Sequence, residues 1–96
     1  MLYNQAKKII NQHKKDLLRL GVRALALFGS VARNEGSPKS DVDVLIDFDP
    51  KKGLFDFIDI KSYLEELLDC EVDLVTKDAL HPALKKRILQ EAKYVF

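Results

Sequence analysis

Two aspartates one residue apart, Asp41 and Asp43, are the part of this sequence with the clearest chemical potential. In an extended chain alternate side chains share a face, so a strand would set both carboxylates side by side. Two like charges that close are unfavourable unless a cation or a shared proton compensates. A hard divalent cation takes oxygen ligands, and magnesium is commonly held by one or two carboxylates together with substrate phosphates. Alone, such a pair is better read as the wet face of an exposed edge strand. Three further features shift that balance. Gly29-Ser30 lies between an apolar run and a short helical stretch, where glycine lets a ligand approach the backbone and a helix start offers free amides to an anion. Ser30 at that point also reads as a plain helix N-cap, and both roles can coexist. A third carboxylate, Asp73, sits inside another alternating segment and joins the same acidic face if the two strands are neighbours. Arg33 follows Ser30 by about one helical turn, and spacing leaves open whether it anchors phosphate or bonds a nearby carboxylate.

These residues need elements to position them. Val22 to Phe28 (VRALALF) is short and almost continuously apolar, which predicts a buried strand ending at Gly29. Asn34 to Ser40, with Gly36 and Pro38, reads as a loop. Val42 to Phe48 is expected as a strand with Val42, Val44, Ile46 and Phe48 on one side and Asp41, Asp43, Leu45 and Asp47 on the other. Glu71 to Thr76 alternates in the same way, with Val72 and Leu74 inward. Helical spacing predicts three longer helices. The first has Asn4 as N-cap, a stripe of Ala6, Ile9, Ile10, His13, Leu17 and Leu20, and Gly21 as its C-terminal cap. Lys7, Lys8, Lys14 and Lys15 fall on its other side as a solvated face, and His13 reads as a packed boundary residue. Leu54 to Leu68 is the second, its many apolar positions expected to be covered by the domain's own core rather than by a partner. Pro82 opens the third, followed by a packed tail at Tyr94-Val95-Phe96. The expectation is one α/β domain over residues 1–96, a mixed sheet of three strands flanked by helices.

Composition narrows the function classes. The chain has 96 residues, 47% hydrophobic and 32% charged, with 16 basic and 15 acidic side chains for a net charge of +1. That is ordinary for one globular domain and supplies no strong field to recruit nucleic acid or membrane. One cysteine, Cys70, excludes an internal disulfide and is expected as a small apolar residue between a helix and a strand. No segment approaches the roughly 18 consecutive apolar residues of a membrane span. The opening MLYNQAKKII lacks the apolar region of a secretory signal, so a cytoplasmic location is expected. Asp41, Asp43 and Asp47 echo a calcium-loop spacing, but Leu45 occupies a ligand position and no glycine makes the central turn. There is no lysine after a glycine-rich phosphate loop, no zinc ligand set, and no G-x-S-x-G elbow.

The constellation resembles a known superfamily. Gly29-Ser30, then a loop, then Asp41-Val42-Asp43 and a distant Asp73, is similar to the nucleotidyltransferases that include DNA polymerase beta. The longer strings Gly29-Ser30-Val31-Ala32-Arg33 and Ser40-Asp41-Val42-Asp43-Val44-Leu45 resemble its smallest branch, the minimal nucleotidyltransferases (MNT, MntA-type) that are antitoxins to HEPN-domain toxins. The likeness covers nearly the whole chain. It implies that Asp41 and Asp43 ligate magnesium on a nucleoside triphosphate, and that Asp73 shares a metal and helps activate the attacking hydroxyl. It implies two magnesium ions, ATP as substrate, and Gly29, Ser30, Arg33 and Ser40 as nucleotide-binding residues. It further implies transfer of AMP to a tyrosine of a cognate HEPN ribonuclease, silencing it. The alternative carried with this reading is an antitoxin that neutralises its HEPN partner by contact alone.

Overall fold

A computed structural model describes residues 1–35 and 41–96. The expected stripe of the first helix is present, but the helix is not continuous. It divides into α1 (Tyr3–Gln12) and α2 (Lys14–Arg19) at His13, whose backbone leaves the helical region at φ −115° and ψ 19°. The His13 ring lies 3.2 Å from the Tyr63 hydroxyl, which also donates to Asp16 at 2.9 Å. Burial raises the Tyr63 pKa, and the Asp16 bond adds to the shift. Asn4 does not cap α1. The Leu2 N–H donates to Gln5 at 3.2 Å, and the Tyr3 N–H donates to the side-chain oxygen of the distant Asn34 at 2.9 Å. Ala6, Ile10 and Leu17 are fully buried. The expected turn at Gly21 is present, with φ +106° and its carbonyl accepting the Asp49 N–H at 2.9 Å.

Strand β1 (Val22–Phe28) runs into the single turn α3 (Gly29–Ala32), and β2 (Val42–Phe48) follows. Helix α4 (Leu54–Leu68) has the bounds its spacing predicts. It starts where the Gly53 N–H donates to Asp56 at 2.9 Å, and it stops at Asp69 in the left-handed conformation. Strand β3 (Val72–Thr76), a 3₁₀ turn at Lys77–Ala79 and helix α5 (Pro82–Glu91) complete the expected order.

The tail is more than packed. Lys93–Tyr94 forms β4 against β1, so among the described residues the sheet has four strands in the order β3-β2-β1-β4 rather than the three expected. A two-residue strand leaves no periodicity to read. What creates it is the open edge of β1, where Leu25 bonds through both its N–H and its carbonyl to Phe96 and Val95. Strands β1 and β2 are antiparallel, β2 and β3 parallel, and α4 is the crossover a parallel pair requires.

The sheet buries both faces unequally. One carries the large core, where α1, α2 and α4 set Ile10, Leu17, Ile60 and Leu64 against Val42, Val44 and Ile46. The other carries a small cluster of Ala26, Phe28 and Leu45, covered by Leu80 and by Ile88 and Leu89 of α5. Each fully buried aliphatic side chain contributes about 1.5–3 kcal/mol relative to exposure. Helix α4 is only partly spent on this core: Ile60, Leu64 and Leu68 are buried, while Leu54 and Phe55 in its first turn are 69% and 82% exposed. Coverage by the domain's own core therefore holds for the second half of α4 and fails for its start.

Candidate active site

The acidic residues gather where β1 ends and where β2 and β3 begin. Register in the parallel pair sets Asp43 directly opposite Asp73, with Val42 opposite Val72. On its other side Asp43 is the cross-strand partner of Phe28, the last residue of β1. The chain then turns at Gly29 into α3, which brings the turn against the Asp43 side chain.

That turn demands glycine for two independent reasons. Gly29 has φ +68°, a conformation costing side-chain-bearing residues about 1–2 kcal/mol. A β-carbon there would also run into the Asp43 carboxylate, standing 3.0 Å from its Cγ. Ser30 is not the N-cap of α3. Phe28 holds that place, Ser30 lies in the turn, and its carbonyl accepts from the Arg33 and Glu35 amides at 3.2 and 2.9 Å. Arg33, for which spacing left two roles open, bonds carboxylates: Glu35 at 3.0 Å and Glu91 of α5 at 3.4 Å. The Glu35 hydrogen bond, with the charges of Glu35, Glu91 and Asp43, holds its guanidinium more firmly protonated. Ser40 lies outside the described residues, as does the expected loop from residue 36 onward.

Asp43 is half-buried, and its pKa is raised. Burial is the largest cause, followed by the charge of Asp73, the charge of Asp41, and a hydrogen bond to Asp73. Arg33 opposes the shift. Asp43 thus holds its proton more tightly than an isolated carboxylate would, as expected where burial and neighbouring like charges act without a counter-ion. Asp41 and Asp73 are exposed at the rim, and Asp41 acts on Asp43 through its charge. Among the described residues, no three His, Cys, Asp or Glu side chains converge into a ready-made metal cage. What the site offers is a pair of hard oxygen donors with a third carboxylate near. That donor set fits magnesium, which takes only one or two protein carboxylates and fills its shell with water and phosphate.

Beside the pair opens a cleft of about 320 Å³, lined by Asp41, Lys61, Glu65, Glu71, Val72 and Asp73. Sequence reading missed Lys61 and Glu65 as site neighbours, and Glu35 and Glu91 as partners of Arg33. The helical spacing of Lys61 and Glu65 was visible, but not which strand they would meet. Cys70 is half-buried between α4 and β3 as expected, and burial pushes its thiol up. That suits a packing residue rather than a reactive thiolate.

The chain is similar to known proteins over nearly its whole length. The family model described as "Nucleotidyltransferase domain" matches residues 10–95. The protein adenylyltransferase MntA of Thermococcus cleftensis is 44% identical over 92 residues, spanning 95% of this chain and 93% of its own. A solved minimal nucleotidyltransferase superposes with a TM-score of 0.85 at 33% identity, covering 97% of this chain and 95% of the other. The MNT antitoxin in complex with a tri-AMPylated HEPN toxin from Shewanella oneidensis shares the fold, with a TM-score of 0.70 at 18% identity over 99% of this chain and 72% of that one. A glycine turn packed on one carboxylate of a facing pair, inside a sequence and fold matched almost end to end, makes this chain a member of the nucleotidyltransferase family, in its minimal branch.

Proposed function

We propose that this protein is a magnesium-dependent adenylyltransferase that moves AMP from ATP onto a tyrosine hydroxyl of a HEPN-domain toxin and so silences it. The observation carrying the proposal is the register pair Asp43 and Asp73 beside the Gly29 turn, one carboxylate half-buried and the other exposed. The names of the similar proteins supply the nucleotide and the partner: an adenylyltransferase at 44% identity and an AMPylated toxin complex with the same fold.

In this reading Asp41 and Asp43 would hold the metal on the triphosphate, and Asp73 would share a metal and help activate the attacking hydroxyl. Bound magnesium would offset charge on the phosphate oxygens and on the leaving pyrophosphate. The bare glycine at position 29 leaves the backbone open for the phosphates to approach, with Ser30, Ser40 and Arg33 as supporting contacts. Arg33 reaches this role by exchanging a surface carboxylate for a phosphate, which its fork geometry favours. The exposed Asp73 carboxylate takes the proton of the incoming hydroxyl. The acceptor oxygen bonds to the α-phosphorus, the bond to the β-phosphate oxygen breaks, and pyrophosphate leaves with the electron pair. Residues 1–96 act as one domain, and a partner supplies the acceptor. No helix among the described residues is long and apolar enough to cross a membrane.

The test mixes the protein with ATP, magnesium and the HEPN protein encoded beside it. A mass gain on the partner in AMP-sized steps, lost with EDTA, supports the proposal. Neutralisation of the toxin without any mass gain overturns it in favour of inhibition by contact.

A further inference from the structure

Asp73 stands on an edge strand. In the order β3-β2-β1-β4 no strand among the described residues pairs with the outer side of β3, and on the inner side Asp73 faces a carboxylate of like charge, Asp43. An edge strand pushed at that point needs a restraint from outside the sheet. The Glu71 carbonyl is turned inward and accepts the Val42 N–H at 3.0 Å. Within one trans peptide the carbonyl and the N–H point to opposite sides, so the Val72 N–H is directed outward, where no strand among the described residues offers an acceptor. Glu65 of α4 supplies one, its half-buried carboxylate accepting that N–H at 3.1 Å. The start of β3 is thereby gripped from both sides at the two residues preceding Asp73. Glu65 lines the same cleft as Asp41, Lys61 and Asp73, so the restraint is applied at the site itself.

We propose that Glu65 is a positioning residue for nucleotidyl transfer: through the Val72 amide it holds Asp73 in register opposite Asp43. The inference rests on the role given to Asp73 above. It acts on the acceptor side of the reaction, whereas nucleotide contacts lie on the α3 side, so its loss is felt in kcat rather than in KM for ATP.

The experiment compares the wild-type protein with Glu65→Ala, Glu65→Leu and Glu65→Gln, each as full chain with ATP, magnesium and the toxin. Glu65→Leu fills the same space without an acceptor and stands in if the alanine variant does not fold. Misplacing a reacting group by about 1 Å costs up to roughly a hundredfold, so kcat should fall about tenfold to a hundredfold in the alanine and leucine variants. KM for ATP should stay within about twofold, the pattern of a contact felt only in the transition state. The Val72 amide should exchange its hydrogen faster in both. Glu65→Gln keeps the acceptor oxygen and should restore both readouts. An unchanged kcat in the acceptor-less variants, a loss confined to KM, or a glutamine variant as poor as alanine overturns the inference. If the wild-type protein transfers nothing, the functional reading fails by itself. Amide exchange at Val72 and Asp73 then decides the positional claim, and unchanged protection in Glu65→Ala refutes it.

Discussion

A β-carbon on Gly29 would have to share space with the Asp43 carboxylate, so these two residues constrain each other. Gly29→Ala should cost about 1–2 kcal/mol from the left-handed backbone alone and should displace Asp43. The expected outcome is a lowered melting temperature together with loss of transfer, and a stable, active alanine variant would show that the turn is not built as described. Asp43 itself gives a pH signature. Its folded pKa lies above the ordinary value of 3.8, so between those two values the native state binds more protons than the unfolded chain. Stability of the metal-free protein therefore falls as pH rises through that window. Asp43→Asn removes the penalty. In EDTA its stability advantage over wild type should be small below pH 4, grow as pH rises through the window, and then level off, as urea titrations at stepped pH would reveal. A pH-independent difference would rule out the facing-carboxylate account. The double change Asp41→Asn with Asp43→Asn should keep the fold and abolish transfer. Much of this scale was legible beforehand: Asp-x-Asp, Gly-Ser and the distant aspartate each carry their chemistry in residue type. The partners of Arg33 were not, because Glu91 comes from α5 and no local spacing brings it there.

Helix α4 shows where element-level reading succeeds and where it stops. Its bounds follow from Gly53 with Asp56 at one end and Asp69 at the other, all local signals. Which of its many apolar residues are covered is settled by the core beneath, which takes Phe57, Ile60, Leu64, Leu67 and Leu68 and leaves Leu54, Phe55 and Ile58 exposed. Leu64→Ala should destabilise by about 2–5 kcal/mol in chemical denaturation, since the site is fully buried against β-strand residues. Leu54→Ser should change stability by no more than about 0.5 kcal/mol, because most of that side chain already meets water. Equal losses at both positions would contradict the burial pattern. The first helix fails in the opposite sense. Ala6, Ile9, Ile10, Leu17 and Leu20 of its stripe all pack into the core, yet a tertiary bond between His13 and Tyr63 accompanies a break that periodicity does not register.

For the molecule as a whole, the site is assembled from three places: the β1–α3 turn, the start of β2 and the start of β3. Any ligand bridging them links the centre of the sheet to its edge and stabilises the native state alone. Magnesium with ATP, at about 100 times the dissociation constant, should add about 2.7 kcal/mol of stability, visible as a rise in melting temperature. The rise should need both components and should vanish in the Asp41→Asn, Asp43→Asn double variant. A shift that survives in that variant would place the nucleotide elsewhere. Net charge gives little help in finding a partner, since 16 basic side chains nearly balance 15 acidic ones.

The amino-acid order by itself determined which side chains share a strand face, where the glycine turn falls and which three aspartates are available, because these follow from periods of two and 3.6 residues and from local backbone freedom. Only the tertiary structure decided that Asp73 stands opposite Asp43, that Glu65 bonds the strand carrying it, and that the last residues close the edge of β1. Those are choices of partner and register between segments far apart in the chain. Periodicity says which face a residue takes but not which strand lies beside it, and the like charges of Asp43 and Asp73 would by themselves have argued against the pairing that the surrounding core imposes.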